Sequence, residues 1–306
     1  MQKKLIAVAV LGACVAGSAL AANVDVYGRI DTGLSYVHQK IGDQAGTDTL
    51  SMDSGMSSGN RWGLKGSEDL GNGYQVGFVL ESGFDADTGK MSKDGLFNRE
   101  ATLRVSGPFG SIYAGRMGRI GSDAGSVGFY AGSVSPFGSG WGEMPGHFAV
   151  TANYDSRYSN ALAYVSPKVG PVTVYAQYTM GNATENESGD NRLFSLGAQA
   201  DFGALQVLGL VEYLNKQSTV AGNVTHNDSQ YDDSYTINLG GSYDFGVAKV
   251  FLAGQYFNAA PNFAGQGGDW TESFDGFGVN VGASAPIGAG EFLVSAGYGK
   301  ELLNNY

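Results

Sequence analysis

Apolar and polar side chains alternate with a period of two along most of the chain, as expected of strands that present one face to each of two media. Near the start Val24, Val26, Ile30, Leu34 and Tyr36 share one face, and Asp25, Arg29, Asp31 and Ser35 the other. Tyr74, Val76, Phe78, Leu80 and Phe84 oppose Gln75 and Glu81. Val172, Val174, Ala176 and Tyr178 oppose Thr173, Gln177 and Thr179, and Tyr235, Ile237, Leu239 and Tyr243 oppose Ser234, Thr236, Asn238 and Asp244. Aromatic residues recur near segment ends, as in Tyr27 and Tyr36, Tyr74 and Phe84, Tyr235 and Tyr243. At ~3.3 Å per residue, ten residues cover ~33 Å. A strand tilt of ~40° projects this to ~25 Å, the height of the apolar band of a membrane barrel.

Short turns and long loops separate these segments in alternation. The turns are 69–73, 107–110, 167–170, 201–203, 245–246 and 286–290, rich in Gly, Asn, Asp and Pro because turns require positive or fixed φ. The long polar loops fall at about 39–59, 85–95, 118–156, 181–190, 215–232 and 258–272. Beyond the N-terminal leader no apolar run is long enough for a membrane helix. The pattern predicts an all-β protein, a transmembrane antiparallel β-barrel with about thirteen visible strands, one smooth end and one elaborated end.

The leader changes the compartment. Gln2-Lys3-Lys4 is a basic start, Leu5 to about Gly17 an apolar stretch, and Ala19-Leu20-Ala21 a small-x-small cleavage site. Residues 1–21 are therefore expected to be a signal peptide, and 22–306 the barrel. Leu11-Gly12-Ala13-Cys14 also fits a lipoprotein processing box, the less favoured alternative. Cys14 is the only cysteine, so cleavage after Ala21 leaves no disulfide chemistry.

Losing Lys3 and Lys4 takes the formal charge from −11 to −13. Such an acidic chain is no partner for nucleic acid. If its carboxylates face the lumen, it favours cations. The 49 glycines, with only seven prolines, suit tight turns and crowded barrel walls rather than a linker.

Reaction chemistry finds little support. Gly55-Met56-Ser57-Ser58-Gly59 matches G-x-S-x-G but does not join a strand to a helix. His38, His147 and His226 lack the paired spacing of a zinc site, and Asp85 to Gly89 starts like a calcium loop without its closing glutamate. No enzyme activity, metal or cofactor is expected.

Several motifs carry a family resemblance. Arg61-Trp62-Gly63-Leu64-Lys65-Gly66-Ser67-Glu68-Asp69-Leu70-Gly71 resembles the second-strand motif of Gram-negative general diffusion porins. Tyr27 to Asp31 resembles the first strand, Leu80 to Gly89 the end of the third, Leu96 to Ala101 the start of the fourth, and Phe109 to Arg116 the fifth. Ser159 to Tyr164 with Ser166-Pro167 resembles the strand after the long loop.

The resemblance implies a sixteen-stranded homotrimeric barrel in the outer membrane, in contact with lipid and lipopolysaccharide. It also implies that the loop at about 118–156 folds inward to narrow the lumen. Leu302 to Tyr306 does not read as the family's closing strand. This leaves a C-terminally truncated sequence as the favoured expectation and a fourteen-strand barrel as the other.

A constriction needs charges that orient polar solutes. Strand parity nominates Arg29, Lys65, Arg104 and Arg116 for the basic wall, with Arg116 first by resemblance. Arg99 has the parity of Ala101 and Leu103, which leaves its direction open. The loop offers Asp123, Glu143 and Asp155 as the acidic side. The expected function is passive diffusion of small hydrophilic solutes and ions with modest cation preference. The alternatives are a substrate-selective channel and a non-conducting barrel serving as adhesin or structural anchor.

Overall fold

The computed structural model describes residues 23–39, 46–141, 144–180, 192–215, 233–264, 266–267 and 273–302. The expected signal peptide with Cys14, and also Glu143 and His226, lie outside the described residues.

Thirteen strands form one antiparallel sheet: β1 (Asn23–Arg29), β2 (Arg61–Gly71), β3 (Tyr74–Gly83), β4 (Glu100–Gly107), β5 (Gly110–Gly118), β6 (Arg157–Val165), β7 (Val172–Thr179), β8 (Arg192–Phe202), β9 (Leu205–Asn215), β10 (Ser234–Asp244), β11 (Lys249–Ala260), β12 (Phe274–Ile287) and β13 (Gly290–Glu301). Each strand pairs with its neighbour in the chain, so the wall is a simple up-and-down meander. The β2–β3 turn shows how local chemistry sets the register. Gly71 and Gly73 have φ of 81° and 80°, and the Asp69 carboxylate accepts the Gly71 N–H at 2.8 Å.

The sheet is inside-out relative to a soluble protein. On β10 Ser234, Thr236, Asn238 and Ser242 are buried, whereas Tyr235, Ile237, Leu239 and Tyr243 are exposed. Leu239 is 66% exposed beside an Asn238 that is 2% exposed. On β12 Asn280 and Ser284 are buried while Phe277, Val279 and Val281 are exposed. In water each such aliphatic or aromatic side chain would forfeit roughly 1.5–3 kcal/mol of burial. Against hydrocarbon it forfeits nothing, and only such a surround makes this pattern stable.

The described residues between 119 and 156 lie against the inner face. Met117, Ile120, Val127, Phe129, Tyr130 and Val134 form a core with Ala161 and Ala163 of β6, Leu208 and Leu210 of β9, and Ala253 of β11. Phe129 stacks on Tyr175 of β7, with centroids 4.1 Å apart and planes at 9°. A short helix, α1 (Ala131–Val134), faces β10 and β11.

Glycines make the seat. A Cβ at Gly278 would lie 1.9 Å from the Val150 carbonyl oxygen, one at Gly282 2.5 Å from Pro136, and one at Gly240 2.6 Å from Val134. The same segment reaches Glu100 at β4 through Ser126 and Gly297 on β13 through Val150. One loop can touch both only because the wall curls around it as a β-barrel.

Two expectations change. The stretch 39–59 is not all loop: Thr32–Gln39 pairs with Thr47–Ser54 as a hairpin continuing beyond β1 and β2, because Thr47, Thr49 and Ser51 alternate with Asp48, Leu50 and Met52. Tyr27 is no membrane-edge aromatic. Its hydroxyl donates to Glu81 Oε2 at 3.0 Å, and its ring lies beneath Lys65 Nζ on the inner side.

Candidate functional site: the charged inner wall

Strands β1 to β5 bring their charges to the face opposite the seated loop, around two cavities. The larger, about 650 Å³, is lined by Asp25, Lys65 and Arg104 on the wall, by Tyr113, and by Ser126 on the loop. Register explains the convergence: Asp25 pairs with Lys65, Lys65 with Val79, Val79 with Thr102, and Gly77 with Arg104, all on the inner parity. Gly77 leaves the room in which the Arg104 guanidinium lies and reaches the Gln75 side chain. Ser126 is held in place by Glu100, whose carboxylate accepts its backbone N–H at 3.0 Å and its hydroxyl.

Towards the loop end of the wall Arg29 stands opposite Arg61, and Arg61 Nε donates to the Gly59 carbonyl at 3.1 Å. Arg99 lies beside Gly83, and its Nε donates to Glu81 Oε1 at 2.6 Å. A second cavity, about 270 Å³, is lined by Ser92, Lys93, Arg99, Arg116, Asp155 and Arg157, among others.

The loop is fastened to the inner wall by a buried ion pair. Arg119 Nη1 donates to Glu212 Oε2 of β9, with the two side chains 2% and 1% exposed. Glu212 also accepts from Ser195 at 3.1 Å, and Arg119 Nη2 donates to Asn153 Oδ1 at 3.1 Å. The guanidinium lies 5.4 Å from the Phe148 ring centroid and 5.5 Å from that of Tyr154. Burial, with the nearby Arg119 charge, pushes His147 down to about 4, so the imidazole is neutral at ordinary pH. Burial also holds the Tyr130 and Tyr154 hydroxyls protonated well above the usual tyrosine range.

An inside-out curved sheet with a loop pinned inside it is a wall built to surround a lumen, and comparison with known proteins agrees. The sequence profile of the Gram-negative porins matches residues 7–305. The chain belongs to the Gram-negative porin family. It is 36% identical over 179 residues to an outer membrane porin protein of Bordetella pertussis, covering 55% of this chain and 45% of that protein. It is 40% identical over 117 residues to outer membrane porin protein 32 of Delftia acidovorans, covering 38% and 32%. The chain thus spans less than half the length of these curated relatives. Among solved structures it resembles the anion-selective porin from Comamonas acidovorans, with TM-score 0.63, 25% identity, and 90% of this chain and 78% of that one covered. Membership places this porin in the outer membrane, in a family of channels rather than enzymes.

The wall sorts the nominated residues differently from strand parity. Lys65 and Arg104 share the larger cavity, and Arg29 lies exposed beside Arg61. Arg116 does not join that row. It follows Gly115, whose φ of 131° interrupts the pleat, and it faces the β-bulge between Tyr158 and Ala161. Its Nε donates to the Asn98 carbonyl at 2.8 Å and its Nη1 to Ser159 Oγ at 3.0 Å, in the second cavity.

Of the nominated acids, Asp155 lines the same cavity as Arg116. Asp123 is exposed on the loop, accepting from Ser139 N at 3.0 Å and from Ser139 Oγ. Glu143 lies outside the described residues. Arg61, Arg99, Arg157 and the Arg119–Glu212 pair were not nominated. Parity does mark Glu212, which sits between the outward Val211 and Tyr213. Arg99 precedes β4, where parity carries no information.

Proposed function

We propose that this porin is a water-filled channel for passive diffusion of small hydrophilic solutes and ions, and that its narrow part favours anions over cations. The observation that carries the reading is the cavity between the wall and Ser126, where Lys65 and Arg104 outnumber Asp25. Nearby carboxylates are engaged: Glu81 by Arg99 and Tyr27, and Glu100 by Ser126 and Thr102.

The cation preference expected from net charge finds no support in this arrangement. Many acids lie at strand ends and in loops, among them Glu68, Asp69, Asp87, Asp94 and Asp244. Screening over ~8–10 Å keeps such charges from setting the field at the narrowing. The anion selectivity named for the Comamonas acidovorans porin points the same way. The partners we propose are lipid and lipopolysaccharide on the apolar outer face, and further copies of the chain in a homotrimer.

The test is the zero-current potential of the full chain in a planar bilayer across a KCl gradient. An anion-selective sign is expected, moving toward potassium in Arg104→Gln. A cation-selective wild type would overturn the preference, and no conductance at all would overturn the channel.

A further inference from the structure

The outer, apolar face of the wall is not smooth. A groove of about 780 Å³ crosses β6, β7 and β8, lined by Leu162, Tyr164, Ala176, Tyr178, Phe194 and Leu196, among others. Register explains the hollow: the small Ala176 of β7 stands between Tyr164 of β6 and Leu196 of β8, both much larger. Tyr178 and Phe194, with centroids 4.8 Å apart, form an aromatic rim over one end, and Tyr213 continues it 6.2 Å from Phe194. Phe194 and Phe202 mark the two aromatic edges of β8 on this face, as expected where a strand meets the two membrane interfaces. Leu196 lies near Phe194, on the side away from the short turn that follows Phe202. Long loops face outward in such barrels, so the groove belongs to the outer leaflet.

One cation crowns the rim. Arg192, the first residue of β8, has the outward parity of Phe194 and Leu196. Its Nη1 donates to the Tyr178 hydroxyl, and its guanidinium lies 5.8 Å from the centroid of that ring. The charge is therefore pre-oriented over the groove rather than free to swing into solvent. Among the described residues no ion pair involves Arg192, and its Nε is buried without a hydrogen-bond partner. The acid of this rim, Asp233, accepts from the Tyr213 hydroxyl and from Asn215 Nδ2. Four residues separate Arg192 from Leu196, ~13 Å along the strand or ~10 Å along the membrane normal at a tilt of ~40°. That fits within the ~12 Å that one leaflet contributes to a ~25 Å apolar band, so the cation meets the headgroups while the hollow meets hydrocarbon. A guanidinium fork suits phosphate, taking it through two N–H donors.

We infer that the groove and Arg192 together bind one lipid, the phosphorylated, multiply acylated glycolipid that anchors lipopolysaccharide. One acyl chain lies over Ala176, and a phosphate sits on the Arg192 guanidinium. The inference rests on the lipopolysaccharide contact proposed above and gives it an address. Cation, aromatic rim and hollow follow one another from the loop end inward, which is the order of phosphate, interface and chain in such a lipid.

The probe is purified lipid A carrying two phosphates, titrated into the full chain in detergent and counted by native mass spectrometry. Wild type retains it saturably. In Arg192→Gln the half-saturation concentration rises about tenfold, the size of one charge-assisted hydrogen bond, and it rises as much when wild type is given lipid A stripped of phosphate. Ala176→Phe fills the hollow, leaves Arg192 in place and weakens retention of both lipids. Heat-modifiable gel mobility verifies that the variants fold. Phosphatidylglycerol retained as tightly as lipid A would overturn the choice of glycolipid. Cross-linking of Leu196→Cys to a second copy in liposomes would put protein rather than lipid on this face and overturn the site. Saturable retention that is unchanged in both Arg192→Gln and Ala176→Phe would sink the site and spare the wider lipopolysaccharide contact. No retention by wild type would sink both.

Discussion

The Arg119–Glu212 pair gives the most exposed prediction, because it decides whether the loop stays seated. Glu212→Gln keeps the shape of the side chain and removes its charge, leaving a guanidinium that is 2% exposed without a counter-ion. Breaking a buried pair costs roughly 3–5 kcal/mol. Asn153 and the rings of Phe148 and Tyr154 remain in contact with Arg119 and retain about 1–2 kcal/mol of that. About 2–3 kcal/mol is left against the seated loop, and the unseated population rises about thirty- to hundredfold at ~1.4 kcal/mol per decade. Single-channel recording should show this as frequent excursions from a quiet wild-type level. Arg119→Met with Glu212→Leu removes both charges and should quieten the trace, since replacing a buried pair by apolar groups is often neutral. A Glu212→Gln trace as steady as wild type, or a double variant as noisy as the single, refutes the anchoring role.

Acid should loosen the same loop. His147 ionises at about 4 in the folded chain against an ordinary 6.5, so the unfolded or unseated state binds the extra proton first. That share of stability is full above pH 6.5 and is lost as pH falls through 6.5 towards 4, by about 3 kcal/mol. His147→Phe should flatten current noise across that interval, and an unchanged acid response would exclude the histidine. Leu239→Lys places a charge on the outer face of β10 and should lower unfolding free energy in lipid by about 2–4 kcal/mol, read by denaturant titration in bilayers. Undiminished stability would mean that residue 239 does not meet hydrocarbon.

The wall was legible from alternation because the strand period is two and the two media are different. Val172 to Tyr178 and Tyr235 to Tyr243 could be read residue by residue, and the main sheet has thirteen strands among the described residues. The site was less legible, for local reasons. Arg116 inherits its direction from the Gly115 backbone and from a bulge in the facing strand, neither of which the hydrophobic pattern registers. Arg99 and Asp155 belong to loops, where parity has no meaning. Net charge misled because it adds distant carboxylates to near ones, whereas the field at the narrowing depends on the few charges within a screening length.

The glycine-lined seat means that this channel is not modular. Loop and wall fit as a cast fits its mould: Val150 and Pro136 occupy space that side chains at Gly278 and Gly282 would fill. A loop transplanted from another barrel would bring its own bulges to the wrong hollows. Any exchange intended to retune what passes would have to carry the matching hollows on β10, β12 and β13 with it.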